Sequence, residues 1–170
     1  EALKAIEYSN VSTIQIIFNM FRQRPAELFF PEAARRDVGI IIRVPLASGL
    51  LTGRYDTTST FREGDHRHFN RDGAAFDKGE TFSGIPFETG LAAVEELKAL
   101  FRGQESLAAV ALRWILDFEE VSTVIPCASR LEQVASNRAA SELAPIPADA
   151  GKQVDEIYAT HIKALVHPLW

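Results

Sequence analysis

Thr13-Ile14-Gln15-Ile16-Ile17-Phe18-Asn19 and Val38-Gly39-Ile40-Ile41-Ile42-Arg43-Val44 are two short, apolar runs rich in β-branched residues. Each is shorter than a typical globular helix and almost continuously apolar, so both predict buried strands. Between them, Ala26 to Asp37 has helical spacing, with Pro31 at a helix start or break, and Pro45 closes the second strand. A strand, a helix and another buried strand predict a parallel pair joined by a crossover helix.

Downstream, Thr89 to Phe101 repeats apolar residues at Leu91, Val94, Leu97 and Leu100, which predicts a helix. Ser106 to Phe118 predicts another, capped by Ser106, with Leu107, Val110, Ala111, Trp114 and Ile115 on one face. Val121 to Ile125 is a third strand, stopped by Pro126. Ser129 to Ser141 reads as helical, and Ala148 to Leu165 as a last amphipathic helix with Val154, Ile157, Tyr158 and Ile162 inward. The order predicts an α/β domain with a parallel sheet covered on at least one face. A complete (β/α)8 barrel takes about 250 residues, so 170 residues hold only part of one. Tyr55 to Glu88 is a long loop rich in Gly, Asp, Thr and Arg, of the length that usually serves a function.

A net charge of -5 argues against a nucleic-acid partner, which calls for a basic footprint. The longest apolar run is interrupted at Arg43, far short of a bilayer span, so no membrane role is expected. One cysteine, Cys127, excludes an internal disulfide framework and is expected as a buried small hydrophobe. Glu1 to Ile6 lacks a signal peptide's basic start and reads as the tail of a helix, which predicts further sequence upstream. A cytoplasmic protein is the expectation.

Two stretches carry chemistry. Arg43-Val44-Pro45-Leu46-Ala47-Ser48-Gly49-Leu50-Leu51-Thr52-Gly53-Arg54 leaves the C-terminal end of a strand, where α/β folds place their ligands. Its glycines let a ligand approach the backbone, its hydroxyls can hydrogen-bond, and Arg54 supplies charge; a plain turn with a solvent-facing arginine reads equally well. In Ile125 to Asn137, a strand runs into a helix whose start carries Ser129 and Arg130, suited to a phosphate monoester. Gln133 and Asn137, four apart, share a helix face that could meet a flat heterocycle. An ordinary capped surface helix is the plainer alternative.

Together these stretches resemble the aldo-keto reductase family: the first its seventh-strand loop, the second its eighth-strand signature. Asp65 to Arg71 and Phe76 to Gly84 are similar to an insertion in a bacterial branch of that family. The resemblance implies that residues 1–170 are the C-terminal part of a (β/α)8 TIM barrel. That part is about three β/α units, resembling the sixth to eighth strands. It also implies NADP(H) bound in extended form without a Rossmann domain, and a small-molecule carbonyl substrate reduced to an alcohol. By position, Gln15 would hold the nicotinamide carboxamide and Arg43 would lay a guanidinium plane against the ring. Leu46, Ser48, Gly49, Leu50 and Arg54 would surround the pyrophosphate. Ser129, Arg130 and Gln133 would meet the 2′-phosphate, and Asn137 the adenine. Cys127 and Ser136 depart from the family pattern at the adenosine end. The family's catalytic Asp, Tyr, Lys and His lie on earlier strands, so no catalytic or metal residue is assigned here. A partner is expected, either the N-terminal half of the barrel or a second copy. The alternative is a non-catalytic nucleotide-binding or interaction module built on a truncated barrel.

Overall fold

The computed structural model describes residues 1–104 and 106–169. The three predicted strands form one parallel sheet in the order β1 (Thr13–Ile17), β2 (Gly39–Arg43), β3 (Val121–Val124). Thr13 pairs with Gly39 and Ile17 with Arg43, without interruption. Between β2 and β3 the register slips: Ile40 faces Val121 but Ile41 faces Thr123. Ser122 is the extra residue, and its Oγ accepts a hydrogen bond from the Ile40 amide at 3.1 Å. The bulge thus keeps that amide satisfied while it shifts the end of β3.

Alternation along the strands divides the sheet into two faces. Ile40 and Ile42 are fully buried against the helices, with Ile14 and Ile16 half-buried beside them. On the opposite face Thr13, Gln15 and Thr123 are exposed. Parallel sheets are ordinarily covered on both sides. Here β1 and β3 are both edge strands, and one face of the sheet meets solvent.

The covered face packs against α2 (Phe29–Arg35), the crossover from β1 to β2 that also contacts the short opening helix α1 (Ala2–Ala5), and against α5 (Leu107–Leu116). Phe18 stacks on Trp114 at 5.2 Å and also touches Phe30 and Phe118, which welds both helices to the sheet. Ser106 caps α5 as expected, its side chain accepting from the Ala109 amide. α4 (Phe87–Leu100) packs against α7 (Ala148–His161). The last helix is not continuous to Leu165. It breaks at Ile162, and a short α8 (Lys163–Val166) turns inward so that Val166 is buried against the Phe82–Gly84 turn. α6 (Leu131–Ala139) buries none of its residues; it is tethered through the Ala140–Glu142 turn, where Ala140 joins Ala109 and Leu112.

The 55–88 segment is more ordered than a long loop. It contains α3 (His66–Phe69) and turns at Lys78–Glu80 and Phe82–Gly84. Short polar side chains organise it. Asp65 and Asp77 cap the first two of these elements by accepting from the Arg67 and Gly79 amides. Asn70, fully buried, accepts from the Ala75 and Phe76 amides and donates to Thr81. Arg67 and Arg71 lie over the Phe61 and Phe87 rings at 4.9 and 5.1 Å.

A candidate nucleotide site at the strand exits

Because β2 and β3 pair in parallel, with the Ile125 amide donating to the Ile42 carbonyl, the two chemistry-bearing stretches leave the sheet side by side at its C-terminal end. Gln15 on β1 faces Ile41, two residues before Arg43, so strand alternation projects Gln15 and Arg43 from one face. Gln15 is exposed and Arg43 is one-third exposed.

The exit of β2 is unusually contorted. Val44, Ala47 and Ser48 have φ of 53°, 47° and 55°, in the left-handed region, followed by Gly49 at 97°. Non-glycine residues there cost on the order of 1 kcal/mol each and gather where surrounding structure over-determines them, often at functional sites. The surroundings are explicit. Asn19, fully buried just beyond β1, donates from Nδ2 to the Val44 carbonyl at 2.9 Å and to Ser83 Oγ at 3.0 Å. Its Oδ1 accepts from the Phe21 amide at 2.9 Å. Ser48 Oγ donates to the Glu80 carbonyl and accepts from the Phe82 amide, at 3.0 and 3.1 Å. Phe82 and Ser83 are themselves left-handed, at 51° and 58°. Two strained turns therefore lock onto each other through Asn19 and Ser48.

Arg43 is held by a bidentate pair, Nη1 to Glu80 Oε2 and Nη2 to Glu80 Oε1, both 2.5 Å. The hydrogen bonds that Arg43 donates to Glu80 raise its pKa above the ordinary value, against the opposing effect of partial burial, so the guanidinium is charged throughout. Leu46 is half-buried and Leu50 is in the core at 1% exposure, so the Leu50 side chain anchors the loop instead of lining its surface. Gly49 is required: a Cβ there would lie 2.6 Å from the Tyr55 hydroxyl. Thr52 Oγ1 donates to the Gly49 carbonyl, and Arg54 is exposed.

At the second exit, Arg130 is the residue before α6, exposed, and makes no side-chain cap. Ser129 donates from its amide and its hydroxyl to Gln133 Oε1, at 2.7 and 3.1 Å. Gln133 therefore folds back onto Ser129 and Asn137 is half-buried one turn further on. Cys127 is exposed, not a buried hydrophobe, because the chain between β3 and α6 runs outside the core. His66 and His68 both lie on α3. His161 and His167 are partly buried and bonded, His161 to Glu96 and His167 to Tyr158 and Glu27.

Glu80, Asn19 and Ser83 carry much of this geometry and were not assigned a role from sequence. An asparagine directly after a buried strand was the one local signal available. Among the described residues no group of three or more His, Cys, Asp or Glu could hold a metal ion. Nor is any described helix long and apolar enough to cross a membrane.

The family model of the aldo/keto reductase family matches residues 1–159. Two L-glyceraldehyde 3-phosphate reductases, from two strains of Escherichia coli, are 38% and 37% identical over 100 residues, 59% of this chain and 28% of theirs. Among solved structures, a glycerol dehydrogenase from Gluconobacter oxydans superposes with a TM-score of 0.69 at 30% identity, covering 88% of this chain and 43% of that one. The holo form of an aldo-keto reductase from Bacillus halodurans gives 0.62 at 23% identity, covering 91% and 45%. The chain thus spans less than half the length of the solved structures it matches, and with strand order, exit motifs and family match agreeing, it belongs to the aldo/keto reductase family.

Proposed function

We propose that this chain is the cofactor-binding C-terminal part of an NADP(H)-dependent carbonyl reductase, and that its strands are the sixth to eighth of a (β/α)8 barrel. The observation that carries the reading is the delivery of both strand exits to one end of the sheet, with Gln15 and Arg43 on one face and Arg54 and Arg130 exposed on the segments that follow β2 and β3. The residues present fit such a cofactor. Gln15 offers an amide donor and acceptor to a carboxamide, and the Arg43–Glu80 pair offers a flat surface to a ring. Exposed Arg54 suits a pyrophosphate, with Gly49 shaping the loop that leads to it; the start of α6, which lacks a side-chain cap, suits a 2′-phosphate with Ser129, Arg130 and Gln133. Asn137 would meet the adenine. Ser48 and Leu50 act by shaping the loop, since the Ser48 hydroxyl is engaged on both sides and Leu50 is buried.

The bound cofactor would supply hydride to a carbonyl carbon. This chain's own share is to orient the nicotinamide and hold its phosphates. The proton donor belongs to the rest of the barrel, whose strands would also cover the polar face of the sheet and pair the free edges of β1 and β3. The names of the relatives, a triose-phosphate reductase and a glycerol dehydrogenase, support a small polyol-type carbonyl substrate. The cytoplasm suits an exposed lone thiol such as Cys127, which stays reduced there.

Calorimetric titration with NADPH and NADH tests this. NADPH should bind about tenfold more tightly than NADH, and Arg130→Ala should erase most of the difference, as expected for one lost charge-assisted contact of about 1.5 kcal/mol. No detectable binding of either nucleotide up to millimolar concentration would sink the proposal. Glyceraldehyde reduction by this chain alone should be absent; turnover at the ~10 s⁻¹ usual for enzymes would overturn the placement of the proton donor elsewhere.

A further inference from the structure

The most tightly organised ion pair of the site joins Arg43 to Glu80, a residue outside both strand-exit motifs. Glu80 reaches Arg43 across 37 residues of chain and meets it with both carboxylate oxygens at 2.5 Å. The fork is partly shielded, with side chains 33% and 26% exposed. Glu80 is fixed in place by its own turn: Asp77 caps it from the Gly79 amide, and the Thr81 amide donates to Lys78. Its carbonyl receives the Ser48 hydroxyl, so one residue ties both Arg43 and the glycine loop to the 78–84 segment. A bidentate fork sets the guanidinium plane as well as its position.

Charge is the second consequence. Arg22, Arg43, Asp77 and Glu80 interact as a group, two cations with two anions. Buried Arg22 is pushed down to about 10 by desolvation, against the pull of Asp77 and Glu80. Removal of the Glu80 charge would leave this end of the site with one net positive charge.

We propose that Glu80 is a positioning residue that holds the Arg43 guanidinium flat and cancels its charge, so that the site accepts the oxidised, cationic nicotinamide as readily as the reduced, neutral one. The proposal rests on the reading that Arg43 meets the nicotinamide. Glu80→Gln keeps the shape and the backbone link to Ser48 but uncovers the arginine charge. One unit charge about 10 Å away at an effective dielectric near 20 corresponds to about a tenfold change in affinity for a cation.

The test is the ratio of the dissociation constants for NADP+ and NADPH, measured by calorimetry on the full chain. In Glu80→Gln the ratio should rise about tenfold, chiefly through weaker NADP+ binding. Arg43→Gln, which leaves the carboxylate uncovered, should move it in the opposite direction, and the double variant should return it near the original value. Because the two single variants have opposite expected signs, the inference can be judged from Arg43→Gln and the double variant even if Glu80→Gln does not fold. Equal weakening of both nucleotides in the variants, with the ratio unchanged, would overturn it and leave Glu80 a structural prop. Binding of neither nucleotide by the unsubstituted chain would instead overturn the nucleotide reading itself, and this inference with it.

Discussion

Replacement of Asn19 by alanine is the sharpest test of how the β2 exit is held. The side chain is fully buried and makes hydrogen bonds to the Val44 carbonyl, the Phe21 amide and Ser83 Oγ, all at 2.9 to 3.0 Å. Alanine leaves the buried Phe21 amide and the part-buried Val44 carbonyl without those partners. Each such orphan costs about 1–3 kcal/mol, more than the about 1 kcal/mol net value of an intact bond. It also releases Val44, a β-branched residue kept at φ 53°, so part of the strain there would relax and return about a third of the loss. The balance is a destabilisation of about 3 kcal/mol. With a urea slope of about 2 kcal/mol/M, the unfolding midpoint should fall by about 1.5 M, followed by the fluorescence of buried Trp114. Ser83→Ala removes only the hydroxyl that Asn19 shares and should cost about 1 kcal/mol. A midpoint for Asn19→Ala within about 0.3 M of the parent, or equal losses for the two variants, would refute the claim that this amide braces the Val44 turn.

Gly90→Ala should destabilise by about 1 kcal/mol in the same urea assay: helix propensity favours alanine by about 1 kcal/mol, but its Cβ would lie 2.7 Å from Leu50 Cδ1 and 3.2 Å from Ile85 Cδ1, both buried, and overpacking costs about 1–3 kcal/mol. An increase in stability would show that Leu50 has room to yield. Ser106→Ala removes the α5 cap and should lower stability by about 1 kcal/mol, with faster amide exchange confined first to the start of that helix. The hydrogen bonds of Arg67 hold Asp65 at a pKa of about 2, below its ordinary 3.8. The folded state therefore binds that proton more weakly than the unfolded state, so the contribution is complete above about pH 4 and lost as pH falls toward 2. For a partly exposed pair it amounts to about 1 kcal/mol, and Asp65→Asn should make the acid limb of the stability curve shallower in that window; an unchanged limb would count against the pairing.

How much was legible in the sequence follows from the range of each interaction. Strands at Thr13–Ile17 and Gly39–Arg43 could be read because β-branched runs state their own burial, and α5 because its cap and its apolar repeat lie within a few residues of one another. The placement of both motifs at strand exits was legible for the same reason, since each motif is continuous with its strand. Short-range rules failed where a distant partner decided the outcome. The break at Ile162 exists because Val166 has a site against Phe82–Gly84, and the 55–88 segment is ordered by side chains that find partners only after the chain has folded back. The exposure of Cys127 reflects the path of the chain outside the core, not the chemistry of a thiol.

By itself, then, the sequence determined an α/β chain with parallel strands, the capped start of α5 and the start of α7, and which loops carry polar and glycine chemistry at the sheet's C-terminal end. Those properties arise from periodicity and capping between near neighbours. Tertiary structure alone decided that Glu80 faces Arg43 across 37 residues and that Asn19 reaches Ser83 across 64. It also decided that Ser122 bulges out of β3 to satisfy Ile40. Such pairings depend on where two separate stretches meet once the core has closed, and no local pattern of residue types encodes that meeting.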